Sequence, residues 1–205
     1  MDGVLVDSEQ LHWESVIDVL VELKRLSPGE RIPERIGWGD AALWSELRVT
    51  YELKEEVEQL IELRASYAER RLIERPPPPI RGSKEGLRAL KARYPDLRLV
   101  VVSASPLRHM ELSLRSYAGL FEGLVSGIDH CKLNKPSPEP YLTAMSGLGL
   151  EPEACAIIED SPTGLQSALT SGAKVWCLGD APGTGRFTPQ LQGRLSSIEE
   201  LKRLP

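Results

Sequence analysis

The chain has 205 residues, 41% of them hydrophobic and 27% charged, which is the composition of a globular protein with enough chain to bury an ordinary core. The formal net charge of −5 argues against nucleic-acid binding, which requires a basic face. The sequence shows neither a signal peptide nor an apolar run of about 18 residues, so we expect neither export nor a membrane span.

Cys131, Cys155 and Cys177 form neither a CxxC pair nor the spacing of a metal site. Cys155 and Cys177 lie in apolar runs, as packed free thiols do. Because disulfides are rare in reducing compartments and these thiols show no pairing pattern, the sequence favours a cytoplasmic protein.

From residue 8 to about residue 75 the pattern is helical. Apolar residues recur at helical spacing up to a Ser-Pro-Gly break at 27–29, and again along a long charged helix predicted at 52–75. The proline run at 76–79 ends this helix, because proline lacks an amide donor and disfavours the helical conformation of its predecessor. We expect a stiff linker and a domain boundary there.

The rest of the chain alternates between strands and helices. Apolar strands are predicted at 97–102, 124–125, 154–158 and 174–178. Amphipathic helices are predicted near 83–93, 106–117, 137–148 and 162–171, and residues 180–195 have the pattern of a loop. Near-continuous apolar strands separated by helices indicate an α/β fold whose parallel sheet is covered on both faces.

Polar residues follow the predicted strands, at the edge where open parallel sheets bind their ligands. Ser103, Ala104 and Ser105 follow the first strand and offer hydroxyls and free amides before a helix N-terminus, a favourable place for an anion. Lys135 lies in a rigid, proline-containing loop after the second strand.

Glu159 and Asp160 follow the third strand and provide adjacent carboxylates suited to a hard divalent cation. Carboxylates, a fixed cation and hydroxyl or amide donors are the groups that hold a phosphoryl group together with magnesium. The strand ends therefore favour phosphoryl chemistry.

Each of these segments also has a purely structural interpretation. Residues 159–160 precede a Ser-Pro pair and are typical of a helix cap, and residues 103–105 are typical of a strand–helix turn. Lys135 alone is typical of a surface loop, and residues 2–3 alone of a hairpin turn. Agreement in order and spacing at several strand ends favours the functional interpretation.

Together these segments resemble motifs I to IV of the haloacid dehalogenase superfamily. They read DGVLVDS, VVSASP, KPSP and IIEDSPTG, at residues 2–8, 101–106, 135–138 and 157–164. The resemblance implies a Rossmann-like parallel-sheet core formed by residues 1–7 and 76–205. Residues 8–75 resemble the small α-helical cap of the subfamily that contains β-phosphoglucomutase and many sugar-phosphate phosphatases.

The resemblance implies a role for each residue that matches a motif. Asp2 matches the general acid/base that protonates the leaving oxygen and then activates water. Ser103 would hydrogen-bond the transferring phosphoryl group, assisted by Ala104 and Ser105, and Lys135 would hold it by charge.

The same resemblance implies a magnesium site. Asp160 would ligate Mg²⁺, Asp2 would contact it through its backbone carbonyl, and Glu159 would be a ligand or an indirect partner. The predicted substrate is a small phosphorylated metabolite.

The cap loop departs from the mutase-like pattern. Those members carry an arginine that grips a second phosphate, whereas residues 37–40 here read Gly-Trp-Gly-Asp, so hydrolysis is favoured over mutase activity. A mutase would need a cation from elsewhere in the cap, Arg35 or Arg48. Trp38 and Trp44 are candidates to face a sugar, with core packing an equal alternative for Trp44.

Met1 falls on the position just before Asp2 in motif I, so the nucleophilic Asp of the family would precede it. Covalent phosphoryl transfer needs that carboxylate, and we expect the 205 residues by themselves to lack turnover and to bind magnesium weakly. A start codon assigned to an internal Met and a loss of catalysis both explain this beginning. Lys135 is then expected to lean toward Asp160 or solvent.

The sequence thus predicts, for the complete protein, a magnesium-dependent phosphatase of a small phosphorylated metabolite, and a sugar phosphate in particular. A non-catalytic binding or regulatory protein of the same fold is the first alternative, and a phosphomutase is the second. A monomer is the default expectation.

Overall fold

The computed structural model describes residues 1–34 and 39–203. The chain forms two compact units, one comprising Met1–Asp7 with Pro78–Pro205 and the other Ser8–Pro77. We call these the core unit and the helical unit. No helix among the described residues combines the length and the apolar character needed to cross a membrane.

The helical unit contains α1 (Glu9–Glu22), α2 (Asp40–Thr50) and α3 (Val57–Glu74). Their apolar faces bury a shared cluster in which Trp44 is fully enclosed. The helical spacing of apolar residues in the sequence therefore produces a small core of its own.

The helix predicted at 52–75 begins only at Val57, so this start was predicted wrongly. The Glu56 carboxylate accepts a hydrogen bond from the backbone of Gln59, and the Gln59 side chain accepts one from the Glu56 amide at 2.9 Å. Glu52 has a left-handed φ of 48°, which a helix interior does not permit. Periodicity could not reveal this start, because glutamate is not among the usual N-cap residues.

Short parallel strands form the sheet of the core unit, in two hydrogen-bonded parts within the described ranges. In the first part, β1 (Val100–Ser103) pairs with β2 (Gly123–Ser126). In the second, β3 (Ala156–Glu159), β4 (Lys174–Leu178) and β5 (Gly193–Leu195) pair in that order. Parallel strands joined through helices confirm the predicted α/β class.

Helices and two apolar clusters complete the core unit. The helices are α4 (Ser83–Arg93), α5 (Leu107–Ser113), α6 (Glu139–Leu148) and α7 (Pro162–Thr170). Val6 is fully buried in the cluster that also holds Val101 of β1 and Leu195 of β5. One apolar core therefore spans both parts of the sheet.

The first predicted strand, at 97–102, begins later than expected. The Leu97 amide donates to the Tyr94 carbonyl at 3.0 Å, which closes a turn, so β1 starts only at Val100. An apolar run does not by itself distinguish the last residues of a turn from the first residues of a strand.

The prediction that residues 180–195 form a loop is wrong, because a 3-10 helix occupies Gly185–Gln190 and β5 follows it. Arg194 of β5 donates to the Gly179 carbonyl at 2.9 Å and to the Asp180 carboxylate at 3.0 Å. These bonds add to the pairing with β4. A strand with a single apolar side chain carries no periodic signal, so only its neighbours determine it.

Candidate active site

The residues of motif I form a tight turn at the start of the core unit. The amide of Leu5 donates to the Met1 carbonyl at 2.8 Å, and the amide of Gly3 donates to the Val6 carbonyl at 3.1 Å. Gly3 has a φ of 69°, and a Cβ atom built on it would lie 1.9 Å from Oδ2 of Asp160. Glycine is therefore needed both for the turn and for the approach of motif IV.

Asp2 meets the turn that follows β1. The Ser105 hydroxyl donates to Oδ2 of Asp2 at 3.3 Å, and the Ser105 amide donates to the Ser103 hydroxyl oxygen at 3.1 Å. Ser103 is buried, and accepting this bond leaves its own hydroxyl hydrogen able to donate. The structure thus brings Asp2, Ser103 and Ser105 together at the carboxyl end of β1.

The loop after β2 supports this turn, through contacts that the motif pattern does not predict. The Ser126 hydroxyl lies 2.9 Å from both the Ser105 carbonyl and the Asp129 carboxylate, which share its single hydrogen, and the side-chain amide of Asn134 donates to the Ala104 carbonyl at 3.2 Å. Asp129 accepts from the Leu107 amide at 2.6 Å. The bond from Leu107, with that from the Ser126 hydroxyl, lowers the pKa of Asp129. Polar residues at the end of β2 were a usable signal, because that strand end lies on the same edge of the sheet.

Lys135 is almost fully buried and points at the end of β3. Its ammonium donates to the Val102 carbonyl at 3.2 Å, to the Tyr141 hydroxyl at 3.0 Å, and to Oε1 of Glu159. The three donors of the ammonium are thus matched by three acceptors from β1, α6 and β3. The expectation that Lys135 leans toward Asp160 or solvent is wrong, because it pairs with Glu159.

Glu159 is enclosed by protein donors on both carboxylate oxygens. Oε1 accepts from Lys135 and from the Tyr141 hydroxyl, and Oε2 lies 3.3 Å from the amide of Asp160. A Cβ atom at Gly164 would lie 2.1 Å from Oε2, so only glycine lets α7 cover this carboxylate. Burial by itself would raise the pKa of Glu159. The positive charges of Lys135 and of the Met1 amino group, with hydrogen bonds from Lys135 and Tyr141, together outweigh burial and hold the pKa below its ordinary value.

Asp160 lies beside Gly3 and has a different environment. Burial, followed by the negative charges of Glu159 and Asp2, raises the pKa of Asp160 to about 6. A bound divalent cation would relieve this repulsion, and carboxylate oxygens such as those of Asp160 are ligands that Mg²⁺ prefers. Across residues 1–34 and 39–203, no three His, Cys, Asp or Glu side chains are grouped as a metal site. The bonds of Glu159 favour an indirect role for it.

A cavity of about 630 Å³ opens next to Asp160, at the carboxyl ends of β4 and β5. Its lining is mixed: it includes the cationic Arg81, the acidic Asp180 and Glu199, and Ser197. The volume falls within the range of about 300–1,000 Å³ that small-molecule sites occupy.

The candidates in the helical unit are placed as follows. Trp44 is fully buried in the cluster of that unit, so it packs in the core and does not face a substrate. Arg48 pairs with Glu56 at 2.9 Å. Arg35 and Trp38 lie outside the described residues.

A profile described as a haloacid dehalogenase-like hydrolase matches residues 1–172. The chain belongs to this hydrolase family. The family and the fold predicted from the four motifs are therefore confirmed.

Individual relatives agree with this assignment. The chain is 29% identical over 177 residues to hexitol phosphatase B of Escherichia coli (strain K12), an alignment that covers 80% of the chain and 74% of that protein. It is 46% identical over 56 residues to protein CbbY of Rhodobacter capsulatus, which is 27% of the chain and only 24% of that protein. The crystal structure of CbbY from Rhodobacter sphaeroides in complex with phosphate has a TM-score of 0.73 at 20% identity, over 98% of this chain and 93% of that one, and shares its fold.

Proposed function

We propose that the complete protein is a magnesium-dependent phosphatase of a small phosphorylated metabolite, a sugar or sugar-alcohol phosphate. The observation that carries the proposal is the convergence of motifs I, II and IV around Asp2, which accepts from Ser105 and adjoins Gly3 against Asp160. The similarity to a hexitol phosphatase supports the substrate class.

In this proposal the chain contributes a general acid/base, a binding site for the phosphoryl oxygens and the positive charge of a lysine. Asp2 donates a proton to the leaving oxygen and then takes one from water, a role worth about 10²–10⁴ in rate. The hydroxyl hydrogen of Ser103 and the amide of Ala104 bind phosphoryl oxygens. Lys135, buried at the ends of β1 and β3, stabilises the charge that the phosphoryl group carries.

Asp160 and the backbone carbonyl of Asp2 would hold the magnesium ion, which supplies a Lewis acid for the phosphoryl oxygens when bound. Glu159 would act indirectly, because its oxygens already serve Lys135, Tyr141 and the amide of Asp160. Its part is to hold Lys135 and the loop that carries Asp160.

The sequence feature against a mutase is the absence of the family's arginine from residues 37–40. Arg48, one of the two cations considered for a second phosphate, pairs with Glu56 at the surface of the helical unit. The free cysteines Cys131, Cys155 and Cys177 support a reducing, cytoplasmic location.

The test is release of inorganic phosphate by the full-length protein from a panel of sugar and sugar-alcohol phosphates, with Mg²⁺ or with a chelator. Asp2→Asn and Asp160→Asn are expected to lower kcat at least about 10²-fold. Asp96→Asn, which changes an exposed carboxylate in the turn before β1, is the matched control and is expected to keep full activity. No magnesium-dependent hydrolysis across the panel would refute the proposal.

A further inference from the structure

Tyr141 stands between the two members of the buried ion pair. It lies in the first turn of α6, and only 6% of its surface is exposed. The motif III pattern ends at Pro138, so nothing in the motifs includes Tyr141 in the site.

The tyrosine contacts Lys135 in two ways. Its hydroxyl oxygen accepts from the Lys135 ammonium at 3.0 Å, and the ammonium lies 4.7 Å from the centre of its ring. The same hydroxyl donates to Oε1 of Glu159. One side chain thus binds both the cation and the anion.

These contacts restrain a side chain that is otherwise flexible. The ammonium is a point charge on a flexible four-carbon stem, so an ion pair alone does not fix where it lies. Oε1 of Glu159 is shared between Lys135 and Tyr141, which limits how completely the carboxylate neutralises the lysine. The ring and the hydroxyl hold the ammonium against β1, where the Val102 carbonyl accepts its third N–H.

We propose that Tyr141 is a positioning residue that fixes the Lys135 ammonium at the carboxyl ends of β1 and β3, where the phosphoryl group binds. The proposal rests on the phosphatase function above for its catalytic consequence. The restraint of Lys135 by Tyr141 can be measured without substrate.

The kinetic test compares Tyr141→Phe, which keeps the ring and removes the hydroxyl, with the wild-type full-length protein. We expect kcat to fall about tenfold with KM changed less than about twofold, because a positioned charge acts mainly on the transition state. Tyr67→Phe is the matched control: it also removes a tyrosine hydroxyl that donates to a carboxylate, that of Glu22, and this pair lies within the helical unit. An unchanged kcat in Tyr141→Phe would overturn the proposal.

A double-mutant cycle separates positioning from general support of the fold. In a Lys135→Ala background, Tyr141→Phe is expected to change kcat less than about twofold, because the group on which it acts is gone. If the full tenfold loss recurs in that background, Tyr141 does not act through Lys135 and the proposal fails.

The measurement without substrate is the rate at which an acylating reagent modifies Lys135, followed by mass spectrometry, with the exposed Lys174 of β4 as internal reference. We expect Lys135 to react several-fold faster in Tyr141→Phe than in the wild type, and at the wild-type rate in Tyr67→Phe. An unchanged rate in Tyr141→Phe would overturn the proposal. If the wild-type protein hydrolyses no phosphomonoester, the phosphatase function is refuted, yet this labelling still decides whether Tyr141 restrains Lys135.

Discussion

Gly3 and Asp160 approach so closely that motif I and motif IV leave no room for a side chain between them: a Cβ atom on Gly3 would lie 1.9 Å from the Asp160 carboxylate. The φ of 69° at Gly3 is a second, independent reason for glycine at this position. An experiment can separate the two reasons, because Gly119 of the core unit also has a positive φ but has no atom near the place of a Cβ.

Gly3→Ala is expected to destabilise the protein more than Gly119→Ala. Gly119 has a φ of 77°, but a Cβ atom added to it would meet nothing within 4 Å, so its substitution costs only backbone strain, about 1–2 kcal/mol. Gly3→Ala adds a clash with Asp160, and overpacking of this kind costs about 1–3 kcal/mol more. Urea unfolding measures the free energy of unfolding of both variants. Equal decreases from the wild-type value would show that the Asp160 side chain moves aside freely.

Asp160 is expected to make the magnesium-free protein less stable as the pH rises from about 4 to about 7. Its pKa is raised from 3.8 to about 6, so the folded state binds the proton more tightly than the unfolded state. The stabilisation is therefore complete below pH 3.8 and is lost as the pH rises through about 6.

The Asp160→Asn variant does not titrate at this position. Between pH 4 and pH 7 its free energy of unfolding should therefore rise by about 2 kcal/mol relative to that of the wild type. The measurement is the free energy of unfolding of both proteins at pH 4 and pH 7, in a chelator. A difference between the two proteins that does not change with pH would contradict the raised pKa. Added Mg²⁺ is expected to narrow the difference at pH 7, since the ion stabilises the ionised carboxylate.

Removing the charge of Lys135 is expected to cost far more stability than removing a charge from a surface pair. The Lys135 and Glu159 side chains are 8% and 7% exposed, and loss of one member of a buried pair costs about 3–5 kcal/mol. Arg98 and Glu122 are 43% and 38% exposed at 2.7 Å, and such a pair contributes about 1 kcal/mol at most.

The comparison is Lys135→Met against Arg98→Met in urea unfolding. Adding Glu159→Gln to Lys135→Met should recover part of the loss, because no uncompensated carboxylate then remains buried. A similar decrease in the free energy of unfolding for the two single substitutions would mean that water reaches the ion pair of Lys135 and Glu159.

The order of elements and the family could be predicted from the sequence because both depend on local patterns. Apolar runs between helices predict the first four parallel strands, and the residues of motifs II and IV follow β1 and β3 directly. β5 could not be predicted in this way, since its place depends on Arg194 and on pairing with β4.

The partner of Lys135 could not be predicted either. Glu159 and Asp160 are adjacent in sequence, and successive side chains of an extended chain point to opposite faces. Which face Lys135 reaches depends on how its loop returns to the sheet, so the choice of Glu159 is a tertiary property. Tyr141 entered the site for the same reason, from a helix that follows motif III.

The bonds of Arg194 have a consequence for the cavity beside Asp160. From the last strand of the sheet its guanidinium donates to the Gly179 carbonyl and to the Asp180 carboxylate, and both residues line the cavity. The Asp180 side chain is 93% exposed, so its pair with Arg194 contributes about 1 kcal/mol at most. We therefore expect the lining at Gly179 to keep its shape more firmly than the lining at Asp180.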